Sequence, residues 1–245
     1  MGDRQALTVL YRDDHLVAID KPPGLLVHRS NLDRQETRFA LQLLRDQLAR
    51  RVFPIHRLDK PTSGVLLFAL SPAAARAVTR QFEDRTVVKD YLAVVRGQCP
   101  AQGTVDQPLV EEPGTSASTA PRAAQTAYRC LHHGEIDARV DRYPTSRYSL
   151  VALRPLTGRR HQLRRHMKHI GHPLIGDTTY GKGSHNRFFR QEFACDRLLL
   201  ACVGLRLLHP QTGRPLQIQA KPGADFERVI HAFAWPLRFA PWMAV

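Results

Sequence analysis

The chain has 245 residues, of which 43% are hydrophobic, so it can bury a sizeable core and a disordered protein is excluded. Lys and Arg number 36 against 22 Asp and Glu, which gives a net charge of +14. Because neutralising phosphates releases counterions, this excess favours a polyanionic partner such as a nucleic acid. The four cysteines include no Cys-x-x-Cys pair, which argues against a zinc site and a disulfide framework.

No apolar run approaches the length of a membrane span, and the first residues do not have the pattern of a signal peptide. We therefore expect a cytoplasmic protein without a membrane anchor. A glycine-rich phosphate loop and a dinucleotide fingerprint are also missing from the sequence, which argues against a metabolic enzyme that binds phosphorylated small molecules.

Hydrophobic periodicity and turn residues predict alternating strands and helices in the first half of the chain. Lys21 to Gly24, with two prolines between them, end the second strand, and Ser71 and Pro72 are a typical helix start. The predicted strands of this half cover 7–11, 15–20, 65–70 and 86–97, and the predicted helices cover 36–51 and 71–84.

The second half opens with a segment rich in Pro, Ser, Thr, Ala and Gly, residues 111–125, which predicts a flexible surface loop. Because both halves carry motifs, we expect one catalytic domain over 1–245, without an added N-terminal domain. The predicted strands of this half cover 125–131, 136–140, 146–153, 198–208 and 214–220, and helices follow Gly158 and cover 225–235. This pattern predicts an α+β fold.

The most informative stretch is residues 56–70, in which a compact polar block precedes a buried strand. Active-site loops are usually mounted in this way. Within the block, Asp59 has a cation on either side, Arg57 and Lys60. By charge alone this carboxylate is either a surface ion pair or a nucleophile that is held ionised.

Three further motifs carry candidate functional residues. Residues 21–28 read Lys-Pro-Pro-Gly-Leu-Leu-Val-His, and residues 89–97 form a strand pattern around Tyr91. A strand tyrosine is either a core residue or a platform for a base. The third motif, residues 157–181, contains a basic helix, which is either solvated or phosphate-binding. Its histidines lack the spacing and the glutamate of a zinc helix, so no metal is expected.

Together these motifs resemble the RluA family of pseudouridine synthases, along nearly the whole chain. The resemblance implies a mixed, mainly antiparallel sheet with flanking helices and an active-site cleft, and no cofactor. It implies that Asp59 is the nucleophile and that Arg164 forms a salt bridge with it. It further implies that Tyr91 stacks on the target base and takes part in proton abstraction. Addition at C6 of the base and attack at C1′ of the ribose both remain open.

The resemblance also implies a set of substrate contacts. Arg57 matches the family arginine that occupies the space left by the flipped base, and Leu163 would line the base pocket. Basic side chains of the third motif would contact phosphates, with Lys168 beside them. The substrate-binding residues predicted in this way are His56, Arg57, Thr62, Arg159, Arg160, Leu163 and Arg165.

Within the family, the sequence is most similar to members that modify a tRNA uridine at position 65. The features nearest to those members lie in residues 26–34, 142–148 and 164–166. Arg160, where many relatives have threonine, and the 111–125 loop depart from the pattern. A synthase of ribosomal RNA or of several RNAs remains an alternative, as does an RNA-binding or RNA-folding module without chemistry. We expect an RNA partner, no protein partner and a monomer.

Overall fold

A computed structural model describes residues 6–29, 35–110 and 120–236. In these ranges the strands are β1 (Thr8–Arg12), β2 (Leu16–Lys21), β3 (Phe53–Pro54), β4 (Ser63–Ala69), β5 (Val88–Arg96), β6 (Gln102–Asp106), β7 (Gln125–Ile136), β8 (Ser146–Pro155), β9 (Leu200–Leu208) and β10 (Pro215–Gln219). The helices are α1 (Ala40–Leu48), α2 (Pro72–Glu83), α3 (Gln162–His169), α4 (Gly183–Phe193) and α5 (Ala224–Ala232). The strands belong to a ten-stranded, mainly antiparallel sheet.

The chain divides into two compact units, and the first comprises Met1–Lys89 and Cys202–Lys221. Its centre is β4, in which every residue is buried and which pairs antiparallel with β2. Strand β1 continues the sheet beyond β2, and β10 pairs antiparallel with β9. Gly64 has a φ of +104°, and a Cβ there would lie 2.1 Å from the carbonyl oxygen of Cys202. Only glycine fits at this point, directly after the candidate catalytic loop.

The second unit comprises Asp90–Ala201 and Pro222–Val245. Strand β8 pairs antiparallel with both β5 and β7, and β6 pairs with β7. An aromatic core contains the fully buried Tyr148 and Phe189, with Phe233 in contact with both rings. This core secures α4 and α5, because aromatic side chains bury a large area each.

Most predicted elements are present with boundaries shifted by a few residues. Helix α2 confirms the predicted start, since the Ser71 side chain accepts a hydrogen bond from the Ala74 backbone N–H at 3.2 Å. Helix α1 is shorter than the predicted 36–51. Phe39, predicted inside it, is extended and forms a bridge with Leu26, and its ring is 1% exposed. Tertiary burial of Phe39 therefore makes the helix begin later, at Ala40, than periodicity indicates.

Further sequence-based assignments differ from the structure, and β3 and β6 were not predicted. The strand predicted at 136–140 is wrong, because β7 ends at Ile136, where it pairs with Ser146 of β8. Residues 137–145 close the hairpin between these strands, so no partner strand faces them despite their alternating pattern. Helix α4 was not predicted. Its aromatic residues cluster at 188, 189 and 193 among polar ones, a pattern too irregular to stand out as an amphipathic stripe.

The α+β class is confirmed, whereas the single-domain assignment stays a prediction. Residues 111–119 of the predicted loop lie outside the described residues. Arg122, near the end of that segment, exchanges two backbone hydrogen bonds of 2.9 and 3.0 Å with Leu109, which precedes the segment. Of the 26–34 feature, residues 30–34 likewise lie outside the described ranges, whereas residues 142–148 are described.

The capping serine gives a stability prediction. Ser71→Ala removes the acceptor for the Ala74 N–H, and we expect the free energy of unfolding to fall by about 1 kcal/mol. Urea denaturation measures this change, with Ser71→Asp as the control because aspartate retains the acceptor. Equal stability of the alanine variant and the parent protein would show that the cap does not contribute to the free energy of unfolding.

Candidate active site

The loop that carries Asp59 joins β3 to β4 in the first unit. The Thr62 backbone N–H donates to the Asp59 carbonyl oxygen at 3.0 Å, which closes a turn around the carboxylate. Leu58 and Thr62 are buried at 5% and 2% exposure, whereas Asp59 is half-buried and Arg57 is exposed. The turn therefore fixes the backbone of Asp59 while its side chain retains access to solvent.

Lys21, at the end of β2, holds this loop in place through hydrogen bonds. Its side chain is fully buried, and Nζ donates to the carbonyl oxygens of Pro22, Leu25 and Lys60 at 2.9, 2.7 and 3.1 Å. The Gly24 N–H donates to the same Lys60 carbonyl at 2.8 Å. A buried ammonium is tolerated only when its donors are bonded. The Lys-Pro-Pro-Gly motif thus fixes the backbone of Lys60, the residue that follows Asp59.

His56 anchors the other end of the loop. Its Nε2 accepts a hydrogen bond from the Leu67 N–H at 3.1 Å, and its ring stacks on Phe82 with centroids 5.1 Å apart. A nitrogen that accepts from an amide carries no proton, so the ring is neutral with its proton on Nδ1. Burial, and secondarily the charge of Lys89, lowers the pKa of His56 from 6.5 to about 3. Any contact of His56 with a substrate must use the remaining nitrogen or edge of the ring.

Tyr91 lies in the second unit, on β5, where it pairs with Leu153 of β8 and is 9% exposed. Next to it, the buried Asp90 accepts two hydrogen bonds from Arg154, at 2.9 and 2.8 Å. This pair joins β5 to β8 beside the tyrosine. The ring of Tyr91 is therefore carried by a rigid part of the sheet.

Helix α3 is fixed at its start by Gln162, a residue that the sequence analysis left without a role. Its Oε1 accepts from the Thr157 hydroxyl at 2.7 Å and from the Arg159 N–H at 3.0 Å. Its Nε2 donates to the Gln125 carbonyl at 2.8 Å and to the Thr126 hydroxyl oxygen at 3.0 Å. All four hydrogen-bonding positions of the amide are used, so the turn before α3 is held against β7.

One turn along the helix, His166 completes the same buried network. Its Nε2 donates to the Gln107 carbonyl at 3.0 Å, and its Nδ1 accepts from the Thr126 hydroxyl at 2.9 Å. Burial, opposed by the Gln107 carbonyl, lowers the pKa of His166. Both ring nitrogens of His166 therefore bond to protein groups.

Arg164 lies on α3 between these two residues and is 4% exposed. Its Nε and Nη2 donate to the two carboxylate oxygens of Asp177 at 2.7 and 2.8 Å. Burial alone would raise the pKa of Asp177, but hydrogen bonds from Arg164 and from the Tyr180 and Thr179 amides lower it. The predicted salt bridge of Arg164 with Asp59 stays a prediction.

Further basic residues of the third motif lie on α3 or directly before it. Lys168 and His169 are exposed, and Arg159, Arg160 and Arg165 are half-buried. Arg159 Nε donates to the Ala123 carbonyl at 3.1 Å, and Arg165 Nη1 donates to the Val110 carbonyl at 2.8 Å. Leu163, the predicted pocket residue, is buried at 7% exposure. The helix thus combines a buried polar face with a cationic one.

No helix within residues 6–29, 35–110 and 120–236 is both long enough and apolar enough to cross a membrane. Clusters of three or more His, Cys, Asp or Glu side chains suited to a metal ion are likewise absent from the part of the chain that the structure describes.

The structure adds functional candidates that the sequence analysis did not single out. Lys21, Asp177 and Tyr180 lay in predicted motifs but received no role, and Gln162 was noted only as part of the third motif. Gln162 and Tyr180 gave no signal in the sequence, whereas for Lys21 and Asp177 the signal was a charged residue close to an apolar run. Such residues are buried only when they are fully hydrogen-bonded.

The lowered pKa of His56 predicts how stability depends on pH. Because the pKa in the folded state is about 3 and the ordinary value is 6.5, the neutral ring contributes fully above pH 6.5 and its contribution is lost as the pH falls toward 3. His56→Gln keeps an acceptor that does not titrate. We expect the parent protein to lose unfolding free energy relative to this variant between pH 6.5 and pH 4 in urea denaturation.

His231→Gln is the matched control for this measurement, because His231 is exposed at the end of α5. It should leave the pH dependence of the unfolding free energy close to that of the parent protein. An imidazole pKa of His56 near 6.5 in an NMR titration would contradict the assignment of a ring that is neutral in the folded protein.

Comparisons with known proteins point to one family. The sequence profile of a family described as RNA pseudouridylate synthase matches residues 15–169. Proteins named tRNA pseudouridine synthase C are similar along the chain. The one from Pectobacterium carotovorum is 49% identical, over 96% of this chain and 64% of its own length. The one from Haemophilus ducreyi is also 49% identical, over 94% of this chain and 96% of its own.

Solved structures give the same result. Human RNA pseudouridylate synthase domain containing 1 superposes with a TM-score of 0.70 at 26% identity, covering 96% of this chain and 98% of its own. Human RNA pseudouridylate synthase domain containing 4 has a TM-score of 0.70 at 27% identity, covering 93% of each chain. The prediction of an RNA-modifying isomerase is confirmed, and the chain belongs to the RNA pseudouridylate synthase family.

Proposed function

We propose that this chain converts uridine to pseudouridine in tRNA, at position 65, with Asp59 as the nucleophile. The observation that carries the choice of RNA is similarity to proteins named tRNA pseudouridine synthase C, at 43–49% identity over 94–96% of the chain. Because the similarity extends over nearly the whole chain, it includes the segments expected to contact the substrate as well as the catalytic motifs. The excess of basic residues supports an RNA substrate independently.

The reaction is an isomerisation that needs no cofactor. The N1–C1′ bond of uridine breaks, the base rotates, a C5–C1′ bond forms, C5 loses its proton and N1 gains one. A carboxylate assists as a nucleophile, at C6 of the base or at C1′ of the ribose. The anchored loop suits Asp59 to this role, because hydrogen bonds to the Asp59 and Lys60 carbonyls fix the backbone at and directly after a half-buried side chain.

Base flipping is part of the proposal, since a stacked uridine is inaccessible to a carboxylate. The exposed Arg57 would occupy the space that the base leaves. Tyr91 would stack on the flipped base and take part in proton abstraction, and Leu163 would line the pocket. Arg164 would pair with Asp59 and keep it ionised and correctly directed.

Phosphate contacts are assigned to the basic residues around α3. Arg159, Arg160, Arg165 and Lys168 would bind the backbone of the RNA without reading its sequence. The bonds of Arg159 and Arg165 to backbone carbonyls hold their side chains in place before RNA binds. We also propose that the protein acts as a monomer in the cytoplasm, as the sequence analysis predicted.

The role of Asp59 is tested by tritium release from tRNA transcripts labelled at uridine C5. Asp59→Asn should abolish release while RNA binding stays close to that of the parent protein, because the amide is isosteric but a poor nucleophile. Asp84→Asn is the matched control, since Asp84 is an exposed carboxylate of the same unit. It should release tritium at the parent rate.

Mapping of the modified nucleotide separates the alternatives. Modification of position 65 alone supports the proposal, and residual turnover of Asp59→Asn above a few per cent removes Asp59 as nucleophile. Release from ribosomal RNA but not from tRNA would support pseudouridine formation but contradict tRNA as the substrate. Binding without release from either RNA would favour a module without chemistry.

The phosphate contacts predict a steep dependence of tRNA affinity on salt. The logarithm of the association constant should fall by about 0.7–0.9 for each phosphate neutralised, per logarithmic unit of salt. The double variant Arg159→Gln, Arg165→Gln should make this slope shallower by about one to two. Filter binding over a range of salt concentrations measures both slopes.

The control carries Arg76→Gln and Arg80→Gln, which remove two exposed cations from α2. Its slope should match that of the parent protein. Equal slopes for the α3 variant and the parent protein would contradict the proposed phosphate contacts.

A further inference from the structure

Asp177 binds the guanidinium of Arg164 with a geometry that fixes its direction. The two hydrogen bonds, from Nε and Nη2, reach different carboxylate oxygens at 2.7 and 2.8 Å. Both residues are buried, at 4% exposure for Arg164 and 1% for Asp177. A bidentate pair of this kind defines the plane of the guanidinium as well as its position.

The carboxylate of Asp177 is itself held by its surroundings. Its Oδ1 also accepts from the Thr179 and Tyr180 backbone amides, both at 2.9 Å. Asn186 of α4 donates to the Asp177 carbonyl at 3.0 Å and accepts from the Gly176 N–H at 2.8 Å. Asp177 is therefore held in a fixed position in which it accepts the hydrogen bonds of Arg164.

The position before it requires glycine. Gly176 has a φ of +78°, and a Cβ there would lie 1.8 Å from the carbonyl oxygen of Arg197. This close approach brings residue 177 to its place, at the cost of excluding every other residue at 176.

Tyr180 covers the guanidinium from one face. Arg164 Cζ lies 5.1 Å from the centroid of the Tyr180 ring, and the Tyr180 hydroxyl shares a 3.0 Å hydrogen bond with His161 Nδ1. His161 directly precedes α3 and has a φ of 53°, a conformation that is uncommon outside glycine. The bond to Tyr180 holds this turn, so the ring and the helix start are fixed together.

We propose that Asp177 is the positioning residue of Arg164 in the reaction, and that Tyr180 restricts the guanidinium from its face. The inference rests on the proposed catalytic role of Arg164. A free arginine side chain has many rotamers, and ordering it during the reaction would cost conformational entropy. Prearrangement removes this cost before the RNA binds. Asp177 touches no reacting atom in this scheme and acts through Arg164.

The test measures single-turnover rate constants at saturating tRNA, together with the RNA dissociation constant, for Asp177→Asn. Asparagine keeps the shape but presents one acceptor to the arginine fork. We expect the rate constant to fall by about tenfold or more while the dissociation constant stays within about twofold. A positioning defect thus appears in the chemical step and not in binding.

A double-mutant cycle with Arg164→Lys tests whether the effect passes through Arg164. Lysine keeps the charge but cannot form the fork. If Asp177 acts through Arg164, adding Asp177→Asn to Arg164→Lys should lower the rate constant by less than about twofold. Multiplicative effects of the two changes would overturn the proposal.

A matched control separates positioning from general destabilisation. Tyr148→Phe removes a buried 2.8 Å hydrogen bond to His185 in the same unit. It should lower the melting temperature and leave the rate constant unchanged. An Asp177→Asn protein that behaves in the same way would show a structural role alone and would overturn the proposal.

Tyr180→Leu provides a second route if Asp177→Asn does not fold, because Tyr180 is half-buried and its replacement is tolerated more easily. We expect it to lower the rate constant by about three- to tenfold at unchanged RNA affinity. A parent-like rate would overturn the inference by this route.

Failure of the inference and failure of the proposed function differ in their results. If the parent protein forms no pseudouridine in any RNA, or if Arg164→Lys is fully active, the proposed function or the role of Arg164 fails, and positioning falls with it. If Arg164→Lys is impaired but Asp177→Asn is not, only the positioning role is overturned.

Discussion

The buried ion pair between Arg164 and Asp177 is the interaction on which the second unit's functional residues depend. Removing two charges from water is costly, and the cost is offset only when both groups are fully hydrogen-bonded. Asp177 meets this requirement with backbone amides as well as the guanidinium. Helix α3 and the segment around Asp177 are consequently held in one arrangement. The glycine at 176 and the amide of Asn186 follow from the same requirement.

In the first unit, a buried positive charge is stabilised by hydrogen bonds in the same way. The buried ammonium of Lys21 donates to backbone carbonyls, one of which belongs to the residue after Asp59. His56, kept neutral by burial, accepts from β4 at the other end of the loop. Both segments that carry candidate catalytic residues are thus fixed by buried polar groups whose hydrogen bonds are satisfied in this arrangement. Rigid placement of this kind lets charged groups stabilise a reaction without reorganising during it.

Local signals in the sequence predicted much of the fold. The strands around 16–21 and 63–69 and the capped helix after Ser71 were predicted because their apolar periodicity and cap residues act over a few neighbours. Helix α4 and the hairpin end after Ile136 were not, since the first depends on an aromatic core assembled from α5 and β8, and the second on the register of β7 with β8. Such partners are distant in sequence, so periodicity does not report them.

The sequence by itself determined the α+β class, the family and the candidate residues Asp59, Tyr91 and Arg164, because motifs of charged and aromatic residues beside apolar strands are legible without coordinates. The tertiary structure alone decided how those motifs are supported. It assigned Asp177 to Arg164, Lys21 to the loop of Asp59, and Gln162 to the start of α3. Each of these bonds joins residues that lie apart in the chain or in different elements. Their pairing follows from the need to satisfy every buried polar group, which only the folded chain can specify.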